Sequence, residues 1–365
     1  MGTTNQKIII MDRYTKNLKI VVAWNGLPLY GAKLIAAARE IIGDNFNVIG
    51  TRPQVPILSM DEILSTNLHW LDVGKSYSRK ELGLEVPDVF FHTGWRYRHF
   101  ISLADEVRAR GGQVVGMFDN NWKGDLRQIL GGMYFRLFMR KKYAAAFVPG
   151  FEGCKLARFL GFKKESIFGG LYGSSGEIFS SQIKCSERPK CFLFVGQFIH
   201  RKGVLELVNA YKKFHEQYPE WTLRLIGQGD LADQLRGSPG ILVEPFKQPN
   251  EIAKVMNQAR VLILPSREEH WGLVVHEAAL SGCGLLLTSQ VGAAKDMSTS
   301  RNAIVIDRLS IDALMNAMNS FAEMSDENIE LMQSDSLKIA KKFGPKVWAE
   351  GFVAILKKLS PDSFK

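Results

Sequence analysis

Short apolar runs rich in Val, Ile, Leu and Phe alternate with longer amphipathic stretches along most of the chain, the pattern of parallel strands joined by crossover helices. In the first half, KIVVAW (19–24), DVFFH (88–92), QVVGMF (113–118) and AAFVP (145–149) read as strands. Helices are expected over GAKLIAAAREII (31–42), RHFISLADEVRARG (98–111) and DLRQILGGMYFRLFMRKKY (125–143). The second half repeats the pattern with CFLFVG (191–196), TLRLIG (222–227), GILVEP (240–245), ARVLILPS (259–266), GLLLTS (284–289) and NAIVI (302–306). No fixed-period repeat appears, which excludes a solenoid.

Residues 169–190, GGLYGSSGEIFSSQIKCSERPK, fit neither period and are the expected linker. A chain of 365 residues exceeds what one core usually serves. The expected fold class is α/β, with two Rossmann-like doubly wound domains facing across a cleft. They span 1–182 and 183–345, and a C-terminal helix over 346–365 returns to the first. Ligands in such sheets bind beyond the carboxyl ends of the strands, so chemistry is sought in the loops there.

With 46% apolar and 23% charged residues the composition is that of a soluble globular protein. The apolar runs within the first 24 residues are too short and interrupted for a signal peptide or a membrane span, so a cytoplasmic location is expected. Cys154, Cys185, Cys191 and Cys283 form no CxxC pair and no metal-ligand spacing, and are read as reduced thiols. The net charge of +10 is uneven: residues 1–182 hold 24 Lys and Arg against 16 Asp and Glu, and residues 183–365 hold 23 against 21. The basic first half suits an acidic substrate or an anionic membrane. No nucleic-acid-binding module accompanies it, so nucleic acid is not an expected partner.

Three loops carry candidate chemistry. After the strand 191–196, Arg201 and Lys202 precede Gly203 and an amphipathic helix, a setting for a phosphate group or for a solvated cation pair. After 222–227, Gly227, Gly229 and Ala232 satisfy G-x-G-x-x-A, but the match is mid-chain and the next acidic strand residue, Glu244, comes too soon for a dinucleotide fingerprint. After 259–266, EEHWGLVVHEAALSGCG places Glu269 in a loop and Glu277 in the following helix, whose first N–H groups lie near Gly272 and Leu273. Two carboxylates around an anion-binding helix start suit hydroxyl-bearing rings on either side of a diphosphate; a solvated Glu269 and a helix-surface Glu277 are the plain alternative.

Together these residues resemble the family 4 glycosyltransferases, retaining enzymes of the GT-B architecture. The family's E-P-F-G-L-x-x-x-E appears as Glu269-His270-Trp271-Gly272-Leu273-Val274-Val275-His276-Glu277, and its G-R-L-x-x-x-K-G as Gly196-Gln197-Phe198-Ile199-His200-Arg201-Lys202-Gly203. The resemblance runs from about 191 to 297. In the first half it rests on element order, on Gly31 where the family has a glycine-rich loop, and on VVGMFDNNW.

The resemblance implies that Glu277 binds the ribose hydroxyls of a nucleotide sugar and Glu269 the hydroxyls of its sugar. Lys202 would neutralise the departing diphosphate, and backbone near Phe246 and Lys247 would read the base. Two positions depart from the family: Gln197 stands where an arginine is usual, with Arg201 nearby, and Asp119 stands where many relatives have a histidine. His92 and His99 lie near another strand end and are more ordinary as structural residues. The sequence has no D-x-D triplet, so protein cations are expected to stabilise the leaving group without a metal or other cofactor.

The expected reaction is transfer of a hexose-type sugar from a UDP- or GDP-linked donor to a glycan, lipid-linked or other surface-polysaccharide acceptor. A GT-B epimerase, a phosphorylase and a non-catalytic nucleotide-sugar binding module are the alternatives. The segment 127–142 mixes Met, Tyr, Phe and Leu with Arg and Lys; it reads equally as a buried helix or as peripheral contact with the inner face of an anionic membrane.

Overall fold

The computed structural model describes residues 18–43, 45–53, 60–64, 68–72, 74–75 and 77–364, so the reading of residues 1–17 lies outside the described residues. Two compact units emerge, one ending at Gly173 and resuming at Pro345, the other running Ser174–Gly344. The expected boundary was 182/183. Residues 174–190, expected as linker, are packed into the second unit, with Cys185 and Arg188 both buried.

The strands are β1 (Ile20–Trp24), β2 (Phe46–Thr51), β3 (Leu68–Leu71), β4 (Val89–Thr93), β5 (Gln113–Met117), β6 (Ala145–Phe147), β7 (Ile167–Phe168), β8 (Cys191–Val195), β9 (Thr222–Ile226), β10 (Ile241–Glu244), β11 (Val261–Leu264), β12 (Gly284–Thr288) and β13 (Ala303–Ile306). The helices are α1 (Leu29–Ile42), α2 (Met60–Leu64), α3 (Arg98–Ala109), α4 (Leu126–Tyr134), α5 (Phe151–Phe159), α6 (Val204–Gln217), α7 (Pro249–Met256), α8 (Leu273–Leu280), α9 (Ala294–Met297), α10 (Ile311–Ala322), α11 (Asp326–Ala340) and α12 (Pro345–Leu359).

The first unit is a parallel sheet in the order β3-β2-β1-β4-β5-β6-β7. Val22 stands opposite Val48 on one side and Phe91 on the other. All five residues of β1 are buried, as a strand covered on both faces requires. One face packs Val22, Phe46 and Phe91 against Leu34 and Ile35 of α1 and Trp348 and Phe352 of α12. The Phe91 and Phe352 rings stack at 4.1 Å. The other face packs Phe90, Val114 and Phe118 against Phe100, Leu103, Phe135 and Phe162. Strands β2 and β3 were not foreseen, because FNVIGT is broken by Asn47 and Gly50 and β3 is a partly exposed edge strand.

The single helix expected over 125–143 is instead α4 followed by a π-helical turn, Phe135–Met139, and a 3-10 turn, Arg140–Lys142. Gly132 is needed there, since a Cβ would lie 2.3 Å from the Phe159 ring. The wider turn places Phe135 in the core beside Trp95, Phe118 and Tyr143, and such π turns absorb a residue that α geometry would misdirect.

The second unit is a parallel sheet in the order β10-β9-β8-β11-β12-β13. Its buried Arg188 donates to the carbonyls of Ala259 at 3.0 Å and of Ser281 at 2.7 Å, the latter at the C-terminal end of α8, where the helix dipole favours a cation. Strand order reverses direction between β1 and β4 in the first unit and between β8 and β11 in the second. These are the points where open parallel sheets leave a crevice for ligands.

Candidate functional site

In the second unit, β8 leads through residues 196–199 into a 3-10 turn, His200–Lys202, and Gly203 then opens α6 in the left-handed region at φ 67°. A Cβ on Gly203 would lie 2.2 Å from the Pro265 carbonyl oxygen, so a side chain is excluded twice over. The Arg267 N–H donates to the Arg201 carbonyl at 2.8 Å, which ties the β8 loop to the β11 loop across the switch point.

The β11 loop is held from its other side. Glu269 N–H donates to the Gln290 carbonyl at 3.2 Å, and Gly292 N–H to the Glu269 carbonyl at 3.0 Å. Trp271 is buried, packs on Phe343, and accepts from the Ala293 N–H at 2.8 Å. Gly272, at φ 84°, then opens α8, so its first N–H groups follow directly on the Glu269 loop.

These anchored backbones bring Lys202 and Glu269 into an ion pair whose side chains are 12% and 15% exposed. Arg201 joins them, its Nη1 3.7 Å from Glu269 Oε2 and 2.6 Å from the Glu268 carbonyl. Gln197 is exposed in the same loop beside Gly196. Beyond β10, Phe246 is exposed, and Lys247 Nζ lies 3.1 Å from Glu244 Oε2.

Glu277 sits about one turn into α8, half-buried, and accepts from the Ser174 hydroxyl at 2.9 Å. Burial pushes its carboxyl up to about 7, with the Ser174 hydrogen bond opposing. The neighbouring His276 is fully buried; its Nδ1 accepts from the Ser174 N–H at 2.9 Å and its Nε2 faces the Ala340 carbonyl at 3.0 Å. An N–H donor on one side and a carbonyl on the other fix the neutral tautomer protonated at Nε2. Burial holds its pKa down at about 4.

Ser174 and His276 were missed by sequence reasoning. Ser174 lies in the Gly- and Ser-rich stretch read as a tether, and His276 occupies a position the motif leaves open. The G-x-G-x-x-A match has a packing cause: a Cβ on Gly227 would lie 1.8 Å from the Gly196 carbonyl oxygen, and one on Gly229 2.4 Å from that of Phe198. A short 3-10 turn, Ala232–Leu235, follows in place of the long helix a dinucleotide fold uses.

The first unit has its own cavity of about 470 Å³ at its switch point, lined by Trp24, Asn25, Thr93, Trp95, Asp119 and Tyr172 among others. Asn25 N–H donates to the Thr93 hydroxyl at 2.8 Å, and Gly26 N–H to that of Thr51 at 2.6 Å, which fixes the loop after β1. Tyr172 donates to Asp119 at 3.1 Å, and burial raises its phenol well above the usual range. Gly31 is buried in the first turn of α1 and not in a loop; the glycine of that loop is Gly26, at φ 60°. His92 is fully buried in β4 among Phe90, Phe100 and Tyr143, and desolvation lowers its pKa to about 4. His99 is buried beside Phe100. The structure thus brings Arg201, Lys202, Glu269 and Glu277 into the second unit with Gly196, Gln197, Phe246, Lys247, Gly272 and Leu273, whereas Asp119 belongs to the first.

Residues 177–335 match the model of the family described as "Glycosyl transferases group 1". The match covers less than half of the chain. The chain is 24% identical over 154 residues to a D-inositol 3-phosphate glycosyltransferase of Corynebacterium urealyticum, covering 38% of this chain and 36% of that protein. It is 33% identical over 124 residues to a phosphatidyl-myo-inositol mannosyltransferase of Mycobacterium tuberculosis, covering 31% and 32%. The matches therefore span about a third of the length of these curated relatives. The solved structure of Anabaena HepE in complex with UDP and glucose aligns with a TM-score of 0.73 at 13% identity, covering 94% of this chain and 100% of that one. The fold is GT-B, with two parallel-sheet α/β domains.

Proposed function

We propose that this protein is a retaining glycosyltransferase that moves a hexose-type sugar from a nucleotide diphosphate donor, UDP- or GDP-linked, to a glycan, lipid-linked or other surface-polysaccharide acceptor in the cytoplasm. The observation that carries this reading is the Lys202–Glu269 pair at the β8/β11 switch point, with the start of α8 and Glu277 directly following. The group 1 domain and the UDP and glucose held by HepE support the donor class.

In this reading the ribose hydroxyls donate to Glu277 and the sugar hydroxyls to Glu269. Lys202 and Arg201, with the N–H groups at Gly272 and Leu273, stabilise the charge that grows on the leaving diphosphate. Gln197 contributes a neutral hydrogen bond there. Backbone at Phe246 and Lys247 reads the base. The leaving phosphate takes the acceptor proton on the face from which it departs, and the acceptor lies in the first-unit cavity beside Asp119.

Transfer is metal-independent in this reading, because protein cations supply the charge. Transfer from a labelled donor panel with and without EDTA, with the product anomer read by NMR, tests it. An inverted product or an EDTA-sensitive rate would overturn the corresponding part. Gln197 favours one second reading, a module that binds nucleotide sugar without turnover, for which Glu269→Ala would bind donor less well and change no rate.

A further inference from the structure

Six of the thirteen exposed large hydrophobic side chains among the described residues fall within one stretch of α4 and its π turn, which marks this face and not the scattered remainder: Leu126, Leu130, Met133, Tyr134, Leu137 and Phe138. Leu126 is 76% exposed and Leu137 70%. Positions 126, 130, 133, 134 and 137 recur at helical spacing and so share one side. The stretch is not frayed, since its opposite side is fixed by Gly132 against Phe159 and by Phe135 in the core.

Within the stretch the charge has one sign, Asp125 at the helix N-cap being the acid just before it. From 126 to 142 the sequence has no Asp or Glu, and Arg127, Arg136 and Lys141 are exposed. Lys142 is instead tied to Asp105 at 2.8 Å, and Arg140 to the carbonyls of Tyr143 and Gly161. Arg127, Gln128, Gly131 and Gly132 of the same helix line the first-unit cavity, so stripe and cavity share an element.

We propose that α4 and its π turn are a docking face for an anionic lipid bilayer, lying in the plane of the interface with Leu126, Leu130, Met133, Leu137 and Phe138 among the acyl chains and Arg127, Arg136 and Lys141 at the headgroups. A projecting aliphatic ridge with basic flanks matches an interface rich in acidic headgroups. A second copy would set the same cations against each other, and among the described residues no helix is long and apolar enough to cross a membrane. An acceptor anchored in that bilayer would present its head group beside the cavity. This extends the transferase reading but is tested without any donor, so either can fail alone.

The test is flotation of the full chain with vesicles of phosphatidylcholine mixed with phosphatidylglycerol, and with phosphatidylcholine alone. The wild type is expected to float with the mixed vesicles and to lose most of that binding in the neutral ones or at high salt. Leu130→Ser with Leu137→Ser should lower the partition coefficient about tenfold or more, with an unchanged unfolding midpoint because both side chains are solvent-exposed. Arg136→Gln with Lys141→Gln should reduce the preference for the acidic lipid. A wild type that stays unbound on the mixed vesicles overturns the proposal, and so does a leucine double variant that floats equally well. A wild-type dimer in sedimentation that the leucine variant dissolves would assign the face to a second copy and overturn it as well.

Discussion

Lys202 Nζ donates to Glu269 Oε2 across 67 residues of sequence, joining the loops after two neighbouring parallel strands. In the proposed reading, the cation suited to a diphosphate and the carboxylate suited to sugar hydroxyls neutralise each other until a donor offers both a better partner.

Removing Lys202 takes from Glu269 the nearer of its two cations in a largely buried place. Lys202→Ala should destabilise the protein by about 1–3 kcal/mol, and the double variant with Glu269→Ala by less than the sum of the two singles. Denaturant unfolding of the four proteins measures the coupling. In transfer assays Lys202→Ala should lower kcat by about a hundredfold or more.

Glu277 and His276 respond to pH in opposite directions. The folded pKa of Glu277, about 7, lies above the ordinary 4.5, so its contribution to stability is fully present below 4.5 and is lost as pH rises through 7. The folded pKa of His276, about 4, lies below the ordinary 6.5, so its contribution is present above 6.5 and is lost as pH falls toward 4. The two offset each other in the wild type. Glu277→Gln removes the first alone, and its unfolding midpoint should fall more steeply with acid than that of the wild type, by about 1–3 kcal/mol at the extreme.

The same carboxyl predicts a pH dependence of donor binding. A ribose hydroxyl donates best to an ionised Glu277, so affinity for a nucleotide should rise as pH rises through 7 and flatten above it. Calorimetric titration across that range checks this, and Glu277→Gln should abolish the dependence.

His276 bridges the Ser174 N–H and the Ala340 carbonyl through two directed hydrogen bonds. His276→Phe leaves the Ser174 N–H without its acceptor, while the Ala340 carbonyl keeps the Phe343 N–H, and should cost about 1–3 kcal/mol, read as a lowered denaturant midpoint. Nucleotide affinity should fall with it, because Ser174 also orients Glu277.

The central strands of the second unit were legible because β8, β11 and β12 are near-continuous buried apolar runs adjoining Gly196, Pro265 and Gly284. The local geometry of the candidate site was legible for a similar reason: Lys202-Gly203 and Glu269 to Glu277 lie in short stretches, and Gly203 and Gly272 adopt the positive φ that only glycine holds without strain. What depends on distant contacts was not legible. Ser174 acquires its role only from His276 and Glu277, more than a hundred positions away. The π turn after α4 arises from the aromatic cluster that takes in Phe135. Gly227 and Gly229 looked like a cofactor fingerprint because close backbone packing and phosphate binding call for the same residue. Gly227→Ala should therefore unfold the protein at lower temperature without any loss of NAD-dependent stabilisation, since none is expected to begin with.

The most direct test of the donor site is thermal unfolding with UDP-, GDP-, ADP- and dTDP-sugars, on the wild type and on Lys202→Ala and Glu277→Ala. At about a hundred times its dissociation constant a ligand adds roughly 2.7 kcal/mol. The account predicts a midpoint rise of several degrees with one nucleotide class, unchanged by EDTA and absent from both variants. A wild type indifferent to every nucleotide sugar, or variants that respond as it does, would contradict the placement of the donor on Lys202, Glu269 and Glu277.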